Sequence, residues 1–460
     1  SYSEADSKLF KKKIIRFVPP ASGKWYVIEA TETGELVGLA DLPYQLGVDA
    51  RSYRNPSSSS ETDYPYCPQG YTYTFAMEAT ATPQPAQAPD FYPRYAQSFS
   101  FNDQRYADAP ELVFTYRRIR SEKPGAGSRE VNPGDISMQN WNWGNDYAPG
   151  TPVDNYLLSR DQLRSQGQLD PGGWRGGLRT SGLRGGEEQA LGFFYWFHSG
   201  TSDAKLSTKK QYPNLRYLQG LDSPMGTAHG LSKYPYMREA RRIIGRPSYG
   251  YANGFVMDEV TVTRKDFSEE YSRNVEAQTF RNLATAIAGL RTIDVIRDRI
   301  SPEAVKTRGR SHIYPDSVGI GNYPLDFHPC MVESPPEKPG NQERPGERQG
   351  AGETFPFQIP LRAMIPQKLD NLIVSGKSIA MSHIAASAYR VQSIEWSAGS
   401  AAGAIADFAL ETGVMPFQLV ENMPRANPNL EKLQQRLNAN GNPTAFPGTS
   451  ILNTNWTNWK

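Results

Sequence analysis

Residues 371–380 read Asn-Leu-Ile-Val-Ser-Gly-Lys-Ser-Ile-Ala, and residues 392–413 read Gln-Ser-Ile-Glu-Trp-Ser-Ala-Gly-Ser-Ala-Ala-Gly-Ala-Ile-Ala-Asp-Phe-Ala-Leu-Glu-Thr-Gly. Leu372, Ile373 and Val374 form an apolar run bounded by Asp370-Asn371 and Ser375-Gly376, the pattern of a parallel strand covered on both faces. Gly376 at its end permits a sharp turn or a close backbone approach. Ile394, Ala398, Ala401, Ile405 and Phe408 then recur at helical spacing, and Gly413 stands where a C-terminal cap belongs. Ala398, Gly399, Ala401, Ala402, Gly403 and Ala404 leave little side-chain bulk early in this helix. Either a neighbouring strand or a bound ligand must approach its backbone closely.

Working outward, Trp25-Tyr26-Val27-Ile28 predicts a second strand, followed by the turn Glu29-Ala30-Thr31-Glu32-Thr33-Gly34 and a short helix over Glu35–Ala40. Pro235 opens a predicted helical turn carrying Arg238, Glu239, Arg241 and Arg242, and guanidinium forks of this kind bind carboxylate or phosphate as well as making ion pairs. Asp326 and His328 stand two residues apart, so on an extended segment their side chains share a face. A carboxylate beside an imidazole orients the ring and fixes its tautomer, the pairing used for proton transfer.

Composition narrows the classes. The 460 residues suffice for about two domains. Fifty basic against 48 acidic residues leave a net charge of +2, which points to neither nucleic acid nor an anionic membrane. Cys67 and Cys330 are too few for a disulfide scaffold and match no metal pattern. No apolar run approaches the roughly 18 residues needed to span a membrane. A cytoplasmic location is expected, with a periplasmic or secreted one left open because the chain begins Ser-Tyr-Ser.

A strand ending in Gly-Lys-Ser-Ile, an Arg (Arg390) a dozen or so residues on, and Gly-Ser-Ala-Ala-Gly along the following helix together resemble the last flavin-binding segment of the bacterial FAD-dependent oxidoreductases. Those enzymes have the glutathione-reductase type of dinucleotide fold. Ala30-Thr31 resembles their second cofactor-contacting turn, although Glu32-Thr33-Gly34 stands where Gly-Asp is usual. Tyr236-Met-Arg-Glu-Ala-Arg-Arg-Ile243 resembles their Tyr-Ile-Arg-Glu-Ser-Arg-Arg-Ile string, and Tyr323–Pro329 their Asp-x-His segment; the middle of the chain is most similar to cyanobacterial members. The resemblance implies an oxidoreductase with FAD as cofactor. It implies cofactor contacts at Ala30, Thr31, Gly376, Lys377, Ser378, His383, Arg390, Gly399, Ala402 and Gly403. It also implies catalytic roles for His328, Asp326 and Arg238 towards a small-molecule substrate. The expected fold class is α/β (α+β overall), a FAD/NAD(P)-binding-type parallel-sheet domain carrying a large inserted antiparallel β/helical substrate domain.

No Gly-x-Gly-x-x-Gly opens a helix after a strand. Gly125-Ala126-Gly127 lies in a polar loop, and Gly319-Ile320-Gly321 runs into Asn322-Tyr323-Pro324. The amides that hold a pyrophosphate are therefore expected from elsewhere, the chain being a fragment incomplete at its N-terminus or one half of a site completed by a second chain or another copy in a homo-oligomer. The chain alone is expected to bind FAD weakly.

The expected division is 1–50 and 311–415 for the FAD-binding domain (332–354 a surface loop), 51–310 for the substrate domain, and 416–460 for a tail. Within the insert, Pro56–Ser60 reads as a flexible link. Tyr71, Tyr73, Phe75 and Met77 alternate with smaller or polar residues as in a half-buried strand. Leu112–Ile119 and Glu259–Arg264 read as strands, and Glu187–Phe197 and Val275–Ile300 as helices. The Trp- and Tyr-rich loops at Met138–Tyr147 and Pro171–Gly177 suit either core packing or a stacked ligand. Leu430, Leu433 and Leu437 mark a last helix, and Asn455-Trp456-Thr457 matches a glycosylation acceptor. Two other functions remain open from sequence: a non-catalytic flavoprotein-like binding or assembly subunit, and a carbohydrate-binding or hydrolytic domain using the aromatic loops.

Overall fold

The computed structural model describes residues 18–20, 23–265, 311–331 and 352–446. The basic-then-apolar run Lys11–Phe17, which reads from sequence as one strand, the expected helix at Val275–Ile300, nearly all of the surface loop 332–354 and the tripeptide at Asn455 lie outside them. The chain starts with β1 (Val27–Glu29), α1 (Glu35–Leu39) and β2 (Tyr44–Gln45). It continues through β3 (Tyr71–Thr72), β4 (Phe75–Ala79), α2 (Tyr92–Tyr95), α3 (Gln104–Asp108), α4 (Glu111–Tyr116), β5 (Arg118–Arg120), β6 (Ile136–Gln139), β7 (Asp146–Tyr147), α5 (Arg160–Ser165), α6 (Thr180–Ser199) and β8 (Leu215–Leu218). It ends with β9 (Arg242–Ile243), α7 (Glu259–Val262), β10 (Ser317–Gly321), β11 (Phe357–Pro360), β12 (Leu372–Val374), α8 (His383–Tyr389), α9 (Gln392–Thr412) and α10 (Pro428–Ala439).

Two compact units result. One comprises Gly70–Tyr156 and Leu178–Met237, a narrower insert than 51–310; the other takes the preceding residues up to Gln69, Leu157–Gly177, and the chain from Arg238 onward.

In the inserted unit, β5-β6-β4-β8 form an antiparallel sheet, and β3 pairs with β7. Phe75, Phe99, Phe101, Phe193, Trp196 and Phe197 are all buried in this unit, each side chain contributing roughly 1.5–3 kcal/mol by leaving water. The twenty-residue α6 passes so close to Tyr71 that a Cβ at Gly186 would lie 2.6 Å from the ring, which is why glycine stands there. Trp143 and Tyr147 join this packing, so the Met138–Tyr147 loop supplies core rather than an open stacking surface. Phe75, Ala76, Met77 and Ala79 of β4 are all buried, so side chains on both faces of the strand are covered, not one face alone as its alternation predicts.

The other unit is built on a parallel pair, β1 with β12, Val27 opposite Leu372 and Glu29 opposite Val374. β10 pairs antiparallel with β11, and β2 with β9. Leu372, Ile373 and Val374 are buried as expected, and Ile394, Ala398, Ala401, Ile405 and Phe408 turn the inner face of α9 into the same core. Gly413 ends α9 at φ 74°, a left-handed cap that favours glycine. Asn427 caps α10 by accepting from the amides of Asn429 and Leu430, with Leu430, Leu433 and Leu437 buried.

Four local expectations are corrected. Leu112–Ile119 is not a strand: after Pro110, α4 turns Val113 and Phe114 inward, and only Arg118–Arg120 is extended. Glu259–Val262 is a helical turn because the Asp258 carboxylate caps the Thr261 amide. The segment after Pro235 is extended, not helical, since Tyr236 bridges Thr72 and β9 pairs with β2. Pro56–Ser60 is no loose link: Ser58, Ser59 and Ser60 are buried, the Ser58 hydroxyl donating to the Asp49 carbonyl.

Candidate functional site

Ligands of open parallel sheets bind outside the carboxyl ends of the strands. At the end of β1 the buried Glu29 carboxylate accepts from the amides of Thr31 at 2.6 Å and Leu36 at 2.5 Å, which satisfies donors at the start of α1. Ala30, Thr31 and Glu32 remain exposed beyond it. At the end of β12, Gly376 turns at φ 61°, and a Cβ built there meets nothing nearer than Glu395 Oε1 at 3.9 Å. The Lys377 ammonium is buried and lies 2.8 Å from both Glu32 and Glu395. Burial alone would lower its pKa, but the two carboxylates, Glu395 foremost, hold it above the ordinary value. Ser378 Oγ is buried without a hydrogen-bond partner among the described residues. A Cβ on Gly34 would fall 2.8 Å from that oxygen, so the two strand-end turns interlock.

A second group gathers around Asp326. His328 Nε2 lies 3.2 Å from Oδ1, Arg390 Nη2 donates to the Asp326 carbonyl at 2.7 Å and to Oδ2 at 3.1 Å, and the Tyr323 hydroxyl donates to Oδ2 at 3.1 Å. Burial opposes ionisation of Asp326, yet the His328 hydrogen bond and the charges of Arg390 and Arg238 outweigh it, keeping the carboxyl well below the usual range. Cys330, two residues beyond His328, is joined to Cys67 by a buried disulfide. The His328 amide donates to Gln69 Oε1 at 3.3 Å. Arg390 directly precedes Val391, the N-cap of α9, and Glu395 lies in the first turn of that helix, so the helix start joins the Asp326 group to the Gly376 turn.

The structure thus brings together His328, Asp326, Arg238 and Arg390, and separately Ala30, Thr31, Gly376, Lys377 and Ser378. Other expected contacts sit differently. His383 is sealed in the interior, its amide donating to Asp49 Oδ2 at 2.6 Å, while Arg242 bridges Asp49 and Glu239. Ala402 is buried, but Gly399 and Gly403 are exposed on α9, and a Cβ on either would meet nothing within 4 Å. The helix begins at Gln392, so neither glycine is in its first turn, and Gly403 instead lines a groove of about 620 Å³ with Trp396, Asp407 and Arg436. Sequence reading missed Glu32 and Glu395 as partners of Lys377, and Asp49 and Glu239 as partners of Arg242. Glu239 stands three residues before Arg242, a spacing the sequence did offer, whereas Asp49, Glu32 and Glu395 are related to their partners only by distance in space.

A parallel strand pair with two glycine-bearing turns at its carboxyl ends, an orphaned hydroxyl at Ser378 and a helix N-terminus alongside fits a flavin better than a metal or a nucleic acid. The class is that of a flavoprotein. A family model described as FAD dependent oxidoreductase matches residues 22–250 and 292–437. The chain belongs to that family; its cofactor is FAD and its activity that of an oxidoreductase. No curated protein and no solved structure matches the chain. Among the described residues no helix is long and apolar enough to cross a membrane.

Proposed function

We propose that the protein transfers hydride between a small organic substrate and FAD, with the Asp326–His328 pair handling the accompanying proton. Bound FAD would supply the redox chemistry, held at the turns of Ala30–Gly34 and Gly376–Ser378. His328 is the group that gives or takes the proton. Asp326 fixes the orientation of the ring, and Arg390 and Arg238 keep Asp326 ionised so that it continues to accept the hydrogen bond. The observation that carries this reading is the partly open Asp326–His328 pair bound by Arg390, which leads directly into the helix beside Gly376, with the charge of Arg238 acting on the same carboxylate. The amides for the adenylate half of FAD would come from a further polypeptide segment or a second chain, since no described turn offers the glycine-rich cradle. The Cys67–Cys330 disulfide favours folding in an oxidising compartment over the cytoplasm.

An absorbance spectrum of the purified protein tests cofactor binding, and anaerobic mixing with panels of alcohols, amines and hydroxy acids tests hydride transfer. A protein that takes up no flavin even with the segment or chain that completes the site present, or a His328→Gln variant reduced as fast as the parent, would refute the proposal.

A further inference from the structure

Arg241 is fully buried, and its guanidinium has no carboxylate within ion-pair distance among the described residues. Its neighbour Arg242, equally buried, is paired with both Glu239 and Asp49. The Arg241 fork spans three carbonyls instead. Nη1 donates to Thr33 at 3.2 Å, and Nη2 to Leu158 at 3.0 Å and Gly177 at 2.7 Å. The backbone amide of Arg241 also donates to Thr33 at 3.2 Å. Space for the side chain is made by glycines remote in sequence. A Cβ on Gly177 would lie 2.6 Å from Nη2, and one on Gly38 3.1 Å from both Cδ and Nε. At Gly34 the Cβ would meet the Arg241 carbonyl at 2.9 Å.

A buried cation without a carboxylate in direct contact is expensive; Tyr44 and the more distant charges of Glu35 and Glu29 offset only part of the burial, and a direct salt bridge or an apolar residue would stabilise the fold at lower cost. What this arrangement provides is a rigid planar fork tying the Thr31–Gly34 turn to two other loops. We propose that Arg241 is the positioning residue of the cofactor turn: it holds Thr33 and Gly34, and through them the exposed Ala30–Glu32 edge, in the conformation that receives flavin. This rests on the placement of flavin at the strand-end turns given above.

The test measures flavin affinity by fluorescence titration and the visible circular dichroism of the bound flavin. The proteins compared are the parent, Arg241→Lys, Gly38→Ala and a control, Leu433→Ala, which weakens the core at α10 away from the turn. Arg241→Lys keeps the charge but cannot span three carbonyls; it should bind flavin at least tenfold more weakly and alter the dichroism. Gly38→Ala, which displaces the arginine stem without removing the guanidinium, should change both in the same direction by less, and it carries the test if Arg241→Lys does not fold. Leu433→Ala should lower the melting temperature and leave flavin affinity within twofold. Parent-like affinity in both turn variants, or an equal loss in Leu433→Ala at matched melting temperature, would overturn the assignment. A parent that binds no flavin would overturn the flavin placement, and this inference with it.

Discussion

Asp326 and His328 approach to 3.2 Å with 43% and 13% of their side chains exposed, whereas Asp49 and His383 approach to 3.1 Å with 7% and 0%. Both pairs belong to the unit built on β1 and β12, and both aspartates are held below the usual carboxylate range. For Asp49, burial opposes ionisation while Arg242 and His383 overcome it. The difference is the surroundings. Asp49 is closed in by Arg242 and His383 at its carboxylate and by the buried Ser58 at its carbonyl, while Asp326 faces Tyr323 and Arg390 with part of its carboxylate in solvent. The same two functional groups thus form a sealed internal brace in one place and a partly exposed pair in the other, the one proposed above for proton transfer. A pairwise distance cannot distinguish these roles; access and the neighbouring charges can.

The sharpest way to break this contrast is to remove the charge from the sealed side. Arg242→Met should lower unfolding free energy by about 3–5 kcal/mol, because Glu239 and Asp49 lose their guanidinium while remaining buried. Urea denaturation followed by tryptophan fluorescence reads this, and an unchanged midpoint would mean that the brace is not electrostatic. On the open side, His328→Gln should slow substrate-dependent flavin reduction by about 10²–10⁴-fold. Its stability change should stay near 1 kcal/mol. Stopped-flow reduction and a parallel melt separate the two effects, and a reversed pattern would exchange the roles of the pairs.

The sealed region extends to Glu259, whose carboxylate accepts from the Ser57 amide at 2.9 Å. Burial pushes its pKa up to about 7 from 4.5. Since the folded value lies above the unfolded one, the associated stability is fully present below pH 4.5 and is lost as pH rises through about 7. Glu259→Gln should flatten that part of the stability–pH curve, measured as melting temperature between pH 4 and 8. A parent-like slope would show that Glu259 is not the titrating group. The smallest effect is expected at Gly399, whose Cβ position is open: Gly399→Ala should stabilise α9 by up to about 1 kcal/mol. A destabilised variant would show that something covers this face.

Much of the framework was legible before the structure. Leu372–Val374, the helix ending at Gly413 and the stripe Leu430–Leu433–Leu437 each carry a full local signal: an apolar run, a period and a cap. The meeting of Asp326 with His328 was legible because a two-residue spacing and an extended backbone suffice to bring the side chains together. The failures fall where one residue decides the local structure. Asp258 converts a β-branched run into a helical turn by capping Thr261, and Pro110 starts α4 in a segment rich in Val, Phe and Tyr. The extended course after Pro235 is imposed by pairing with Thr72 and β2, partners more than 150 residues away. Charge partners were least legible of all, since Lys377–Glu32 and Arg242–Asp49 are set by tertiary packing and no periodicity links them.

The bridge between Cys67 and Cys330 spans 263 positions, and the whole inserted unit lies between its ends. A protease that cuts the backbone once anywhere in that interval therefore opens a ring rather than dividing a chain. The nicked protein would keep its mass on a non-reducing gel and fall into two pieces only with a thiol present. In such a molecule the segment carrying His328 would still be tethered beside Gln69, so the Asp326–His328 pair and its support would outlast a break in the polypeptide that joins them.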